Sequence, residues 1–248
     1  MEFGGPGLAL VAAVFVVAGF VKGVIGFGLP TISMGLLGAL IAPDMAAAIL
    51  IIPTLLTNVW QAFVGPHTRA VLRRLWPMLA GVFLGTLATA GVITGADPRL
   101  AAGLIGTMLV IYAVLGLSGV RFRVPRKAEI VAGPVAGLTT GLINGATAIF
   151  VLPGAPYLQA SELDKGELIQ ALGFVGLVAP AGLALGFGLH QSVDIGLWPS
   201  VLVALLAAIV GMAAGQVVRG QLTVSVFQRW VLVGLALLGA AMLLRVLA

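Results

Sequence analysis

Apolar runs of roughly the length of a membrane-spanning helix recur along the whole 248-residue chain and leave no room for a separate soluble domain. A helix needs about 20 apolar residues to cross a bilayer. Between breaking residues, the eight long runs lie near 7–27, 45–64, 75–95, 100–117, 130–143, 168–188, 197–218 and 224–247. The sequence therefore predicts an all-α integral membrane protein whose residues 1–248 form a single transmembrane domain.

The charged residues support this class and exclude others. Only 8% of the residues are charged, against about 25% in soluble domains. The 13 Lys and Arg residues lie mostly in short loops, as at 65–74 and 119–128, where the positive-inside rule predicts cytoplasmic segments. No basic patch with interleaved aromatics is present, so we expect a lipid bilayer and not a nucleic acid as partner. Cysteine is absent, which excludes disulfides and thiolate metal sites, and no metal or cofactor is expected.

Two shorter apolar runs, 30–41 and 147–158, have about a dozen residues each, or about 18 Å of helix, against a hydrocarbon core of about 30 Å. Neither can cross the membrane as a straight helix. Backbone that breaks at membrane depth must be buried in protein or line a water-filled cavity. We therefore expect a cavity beside each short run, whether the run completes a crossing or re-enters.

The two halves of the sequence resemble each other. AGFVKGVIGFG from residue 18 aligns with AGLTTGLINGA from residue 136, and at the same offset Asp44 aligns with Glu162. Both acids come before a long run, where Asp44, or Ser161 with Asp164, could cap a helix. The pattern predicts repeat 1 at about 7–118, repeat 2 at about 129–247 and a basic cytoplasmic linker at 119–128. Five crossings in each half would invert the second repeat, whereas eight crossings in total would not support the inversion.

Glycines and a proline mark the first short run as a place where a helix stops and restarts. Gly26 and Gly28 permit backbone conformations that side chains oppose, and Pro30 suits the first turn of a new helix. A helix that begins near Pro30 or near Thr147 has free N–H groups that attract anions. Thr31 adds a hydroxyl. Lys22 either adds its charge to this site or extends to the cytoplasmic interface.

Further polar residues are candidates for the same binding site. In the second half, Thr140 stands at the position equivalent to Lys22, and Asn144 and Thr147 offer additional donors. Thr54, Thr57, Asn58 and Gln61 follow a helical spacing, so they share one face. That face either lines the permeation path through Asn58 and Gln61 or makes hydrogen bonds between helices. Gln170 is the polar counterpart of this face in the second half.

At these motifs the chain resembles a known family. AGFVKGVIGFGLP and AGLTTGLINGATAIFVLPGAPYL, within a two-repeat plan, are similar to the sulfite exporter TauE/SafE family, also called the toluene sulfonate uptake permease family. The resemblance covers the whole chain. It implies multi-pass transport of sulfite, sulfoacetate and other sulfonates across the bacterial inner membrane, commonly as efflux. Asn144 and Thr147 stand in a region that is richer in glycine in the family, and they favour hydrogen bonds to sulfonate oxygens.

The sequence and the resemblance together predict a transporter and not an enzyme. Two inverted halves would export sulfite or an organosulfonate such as sulfoacetate or isethionate by alternating access. An anion channel or an uptake permease for a related anion would share these features. A membrane-embedded enzyme is disfavoured because HExxH motifs, cysteines and paired intramembrane acids are absent. A membrane scaffold would not need two broken segments.

Overall fold

The computed structural model describes residues 5–95, 97–120, 123–190 and 195–247. Within these ranges the chain forms ten α-helices and no strand, which confirms the predicted all-α class. They are α1 Gly5–Ile25, α2 Leu29–Gly38, α3 Pro43–Phe63, α4 Thr68–Gly95, α5 Pro98–Ser118, α6 Glu129–Thr147, α7 Gly154–Ala160, α8 Lys165–His190, α9 Trp198–Val218 and α10 Val224–Leu247.

Eight of these helices are long and apolar enough to cross a membrane, as predicted: α1, α3, α4, α5, α6, α8, α9 and α10. Helix α4 starts seven residues before the predicted run and takes in the basic stretch that was expected in a loop, including Arg69 and Arg74. The apolar pattern missed the first turns of α4 because basic side chains end a hydrophobic run in the sequence without ending the helix. Their long stems let the charges reach the interface while the backbone stays helical.

The other two helices are short. Helix α2 has 10 residues and α7 has 7, or about 15 Å and about 10 Å of helix. The prediction that a helix restarts near Pro30 is confirmed. The prediction of a helix start near Thr147 is wrong, because Thr147 is the last residue of α6. Ala148 takes a left-handed conformation with φ 56° and ends that helix, and α7 begins only at Gly154.

The chain divides into two compact units. The first comprises Met1–Pro53, Asp97–Gly119 and Ser192–Ala248, and the second comprises Thr54–Ala96 and Val120–Gln191. The first unit therefore contains α1, α2, the start of α3, α5, α9 and α10, while the second contains the rest of α3 with α4, α6, α7 and α8. Each unit draws helices from both halves of the sequence.

In the first unit, α1 packs closely against α9 along facing glycines. A Cβ atom added to Gly19 or Gly23 of α1 would lie closer than 3.0 Å to a carbonyl oxygen of α9, and one added to Gly211 or Gly215 would meet α1 in the same way. Helices α5 and α10 also pack on each other. Small residues at these contacts let backbones approach, and such packing is a main source of helix association in lipid.

In the second unit, α4 packs against α6 by the same means. Cβ atoms on Gly137, Gly141 and Gly145 of α6 would fall within 3.0 Å of the carbonyl oxygens of Met78, Val82 and Thr86 of α4. Because backbone meets backbone along three successive turns, α4 and α6 form a tightly fixed pair. This pair carries the second broken segment.

Candidate functional site

The first unit contains a helix break between α1 and α2. Gly26 and Gly28 have φ values of 98° and 103°, which L side chains rarely adopt. The N–H of Gly26 donates to the carbonyl oxygen of Lys22 at 2.7 Å and closes the last turn of α1. A Cβ on Gly26 would meet no atom within 4 Å, so this glycine is explained by its backbone conformation and not by crowding.

The start of α2 presents buried donors. Among the residues that the structure describes, none accepts a hydrogen bond from the backbone N–H groups of Phe27, Gly28, Leu29 or Thr31. Leu29 and Thr31 are fully buried, and the Thr31 hydroxyl has no partner within the described residues. Buried polar groups without partners are rare in native proteins, so each needs an explanation. A ligand with acceptor oxygens would supply one.

Lys22 lies in the last turn of α1, one turn before this break. It is only 4% exposed. A lysine that extends to the membrane interface would keep its ammonium group accessible to water. Lys22 is therefore a buried side chain of the first unit.

The second unit contains the other break, between α6 and α7. The N–H of Ala148 donates to the Asn144 carbonyl at 2.6 Å, and the N–H of Ile149 donates to the Thr147 hydroxyl at 3.2 Å. Beyond these two, the N–H groups of Val151 and Leu152 have no acceptor in the described parts of the chain, and both residues are buried. The two breaks thus share a feature, which is a short series of buried backbone donors.

The polar side chains near the second break are already engaged. The Asn144 amide nitrogen donates to the Thr86 hydroxyl and to the Ala179 carbonyl, both at 3.1 Å, and so joins α6 to α4 and α8. Thr140 donates to the Ala136 carbonyl at 2.6 Å, and Thr147 donates to a carbonyl of its own helix. Since these groups donate to protein acceptors, the donors left for an anion at this break are mainly backbone N–H groups.

Two glutamines connect α3 to α8. Gln61 donates to the Ile169 carbonyl at 3.1 Å, and Gln170 donates to the Ala62 carbonyl at 3.0 Å. Gln170 also donates to the Thr68 hydroxyl at 2.8 Å. These bonds match the interhelical interpretation of the polar face. Asn58, on the same face, donates to the carbonyl of Thr54 one turn earlier at 2.8 Å.

An ion pair that the sequence did not reveal joins α4 to α6. Arg74 donates through two nitrogens to the carboxylate of Glu129, at 2.9 Å and 2.5 Å. Both side chains are largely buried, at 17% and 11% exposed. Glu167 at the start of α8 lies 4.0 Å from the same guanidinium. The partners are 55 residues apart in sequence, and no spacing rule connects them.

The start of α8 confirms that Asp164 caps a helix. The N–H of Glu167 donates to Asp164 Oδ1 at 2.7 Å, and the N–H of Asp164 donates to Glu167 Oε2 at 3.2 Å, which is a reciprocal capping box. His67 joins these two residues in a group whose ligand atoms lie within 4.8 Å of one another. Because both carboxylates already serve the cap, helix capping accounts for this cluster without a metal.

The ten predicted site residues fall into two groups, one in each unit. The first unit holds Lys22, Gly26, Gly28 and Thr31. The second holds Asn58, Gln61, Thr140, Asn144, Thr147 and Gln170.

The family of the chain follows from comparison with family models. The model described as Sulfite exporter TauE/SafE matches residues 11–242. The chain belongs to this family. As a TauE/SafE protein it is a multi-pass membrane transporter, in agreement with its eight long apolar helices. No curated protein and no solved structure matches the chain.

Proposed function

We propose that this TauE/SafE protein is a secondary transporter that exports small sulfur-containing anions across the bacterial inner membrane by alternating access. The anions are sulfite or organosulfonates such as sulfoacetate and isethionate. The family match over residues 11–242 carries this proposal. The two helix breaks support it, because interrupted helices with free N–H groups are typical of substrate sites in secondary transporters.

In this proposal the first unit supplies direct contacts to the anion. Lys22 contributes charge, Thr31 contributes a hydroxyl, and Gly26 and Gly28 let the backbone present its N–H groups. In the second unit, Thr140, Asn144 and Thr147 shape the other break. Gln61 and Gln170 act by holding α3 and α8 together through the bonds described above, and Asn58, which donates within α3, lies on the same face.

The packing of the helices supports two related halves. Helix α1 of the first half packs on α9, the fourth helix of the second half, and α6 of the second half packs on α4, the fourth helix of the first. Reciprocal pairing of this kind is expected of repeats that exchange equivalent helices. It is the structural observation that favours an internal repeat.

Export is the direction that electrostatics favours. A negative cell interior expels an anion with about 2.3 kcal/mol per charge per 100 mV. Coupled uptake would need a group that carries a proton or a cation through the membrane. The long helices contain three carboxylates, which are Asp44 in α3, Glu129 in α6 and Glu167 in α8. Each lies in the first turn of its helix. Their position supports export without a coupled proton.

The test is anion flux in proteoliposomes that contain the purified protein. We expect saturable sulfite or sulfonate flux that rises when substrate is present on the opposite side. Lys22→Ala should lower this flux at least tenfold, which corresponds to about 1.4 kcal/mol, and Asn144→Ala should lower it through loss of the α4, α6 and α8 junction.

Three results would contradict the proposal in different ways. Flux that neither saturates nor shows trans-stimulation would indicate a channel. Absence of flux for every sulfur anion would leave a non-transport role in the membrane. Unchanged flux in both variants would show that the binding site lies elsewhere.

A further inference from the structure

Two arginines and a tryptophan share one exposed face of α4. Arg69, Arg73 and Trp76 follow one another at spacings of four and three residues, which place them on the same side of a helix. All three are exposed, and Trp76 is 65% exposed. Leu84, about two turns further along this face, is 60% exposed. The face therefore changes from basic to apolar along the helix, and Trp76 lies where the change occurs.

The position of Trp76 sets the depth of the two arginines, because α4 is long and apolar enough to cross a membrane. Tryptophan is enriched at the level of the lipid headgroups. At 1.5 Å per residue, Arg73 lies about 4.5 Å and Arg69 about 10 Å along the axis from Trp76. The headgroup layer of one leaflet is about 5–8 Å thick, so both guanidinium groups can reach it through their long stems.

Two more basic residues lie at the same end of the second unit. Helices α4 and α6 run parallel, because three successive glycines of α6 meet three successive turns of α4 in the same order. The starts of both helices therefore lie at one end of the pair. Arg126 and Lys127 come just before α6 at this end, and both are exposed. We call Arg69, Arg73, Arg126 and Lys127 the basic rim.

The basic rim has no counter-charge within the described part of the chain. None of its four side chains forms an ion pair or a hydrogen bond with a described residue. Arg74 and Arg123, by contrast, are each paired with a glutamate of the second unit. The nearby carboxylates of Asp164 and Glu167 cap α8. The positive charge of the basic rim is therefore not compensated by these groups.

We propose that the basic rim binds the headgroup of an anionic phospholipid, whose acyl chains lie against the apolar face of α4 that begins at Trp76. Arg69 and Arg73 contact the phosphate directly, since a guanidinium group can form two parallel hydrogen bonds with phosphate oxygens. Arg126 and Lys127 add to the positive potential at this end. The proposal requires a chain that crosses a membrane, and it does not depend on which anion is transported.

The combination of charge and apolar surface favours a lipid over other anionic partners. An acidic protein or a nucleic acid would match the charges of the basic rim but would leave the apolar face of α4 unused. A phospholipid has its negative charge and its acyl chains in the same order as the basic and apolar parts of this face. Anionic lipids also give the cytoplasmic leaflet its negative surface potential, and the positive-inside rule predicts that this end is cytoplasmic.

Native mass spectrometry of the purified full chain in neutral detergent counts the bound lipids, with phosphatidylglycerol as the probe. Phosphatidylcholine has the same phosphodiester with a compensating cation, and glycerol 3-phosphate has a phosphate without acyl chains. We expect the first phosphatidylglycerol to bind at least about tenfold more tightly than phosphatidylcholine. Equal affinity for the two lipids would contradict the proposal. Displacement by glycerol 3-phosphate would indicate a site for a soluble phosphate and would overturn the proposal as well.

The double variant Arg69→Gln with Arg73→Gln tests the direct contacts. A basic residue near an anionic lipid contributes about fivefold to binding, so this variant should bind phosphatidylglycerol about 25-fold more weakly. The matched control, Arg99→Gln with Arg229→Gln, removes the same charge. Arg99 in α5 and Arg229 in α10 are exposed, and they lie at opposite ends of this antiparallel helix pair. They cannot hold one headgroup together, so the control should keep an affinity close to that of the wild type.

Both double variants should unfold at the Tm of the wild type in neutral detergent, because each changes only exposed side chains. A loss of phosphatidylglycerol binding then reports on the surface and not on the fold. If Arg69→Gln with Arg73→Gln binds this lipid as the wild type does, the proposal is wrong. An equal loss in the control would show a general effect of net charge, and it would overturn the assignment to the basic rim.

Discussion

Close packing of α4 on α6 makes Gly141 a sensitive position. A Cβ atom on Gly141 would overlap the Val82 carbonyl oxygen and would lie 2.8 Å from the Thr86 nitrogen. Ordinary van der Waals contact begins at 3.4 Å, so Gly141→Ala must part the helices by at least about 0.6 Å at Thr86. The atoms that the new Cβ would contact belong to the backbone of α4, and they cannot move aside as a flexible side chain would.

The expected loss of stability in Gly141→Ala follows from two opposing terms. Overpacking costs about 1–3 kcal/mol, and rigid backbone contacts place this site at the upper end. Alanine gains about 1 kcal/mol over glycine in helix propensity. The net loss of unfolding free energy is then about 2 kcal/mol, which lowers the Tm by about 4–8 °C for a protein of this size.

The assay is thermal unfolding of the purified protein in detergent, with Gly234→Ala as the matched control. Gly234 lies in α10, and a Cβ there would meet nothing within 4 Å. This control makes the same chemical change and should leave the Tm unchanged or raise it by about 2–4 °C, the shift for about 1 kcal/mol. A Tm of Gly141→Ala that matches or exceeds that of Gly234→Ala would refute the close contact between α4 and α6.

Two further sets of variants test the ion pair and the first break. Arg74→Met and Glu129→Leu should each cost about 2 kcal/mol of unfolding free energy, because each leaves a partly buried charge without its partner. The double variant should lose less than the sum, and additive losses in thermal unfolding would contradict a coupled pair. Gly28→Ala has room for its methyl group, whose nearest neighbours lie at 3.9 and 4.0 Å. Its strained φ should still cost about 1–2 kcal/mol and weaken isethionate binding, whereas wild-type Tm and affinity would show that the break does not need this conformation.

The break between α1 and α2 could be predicted because glycine and proline report backbone conformation locally. Gly26, Gly28 and Pro30 lie where the chain leaves one helix and begins another. The second break was misplaced because its helix end depends on Ala148. Alanine in a left-handed conformation leaves no sequence signal, since the residue is a good helix former. The predicted run stopped at residue 143, whereas α6 continues to Thr147, so the predicted restart falls on the last residue of α6.

Side-chain partners across helices could not be predicted from the chain alone. Asn144 looked like a free donor in a glycine-rich segment, yet it donates to Thr86 and Ala179, which are far from it in sequence. Arg74 looked like a loop residue that marks the cytoplasmic side, yet it pairs with Glu129. Each of these bonds depends on which helices become neighbours. A single sequence carries periodicity and end signals but no record of such pairings.

The linker between the halves has a practical consequence for protein engineering. The N–H of Val124 donates to the Ala160 carbonyl at 2.9 Å, so the linker is attached to the last residue of α7. A charged segment between two repeats is the usual choice for inserting a fluorescent protein or a protease site. An insertion next to Val124 would pull on the helix that follows the second break. The exposed turn around Gly220, where a Cβ would meet nothing within 4 Å, is the safer place for such a tag.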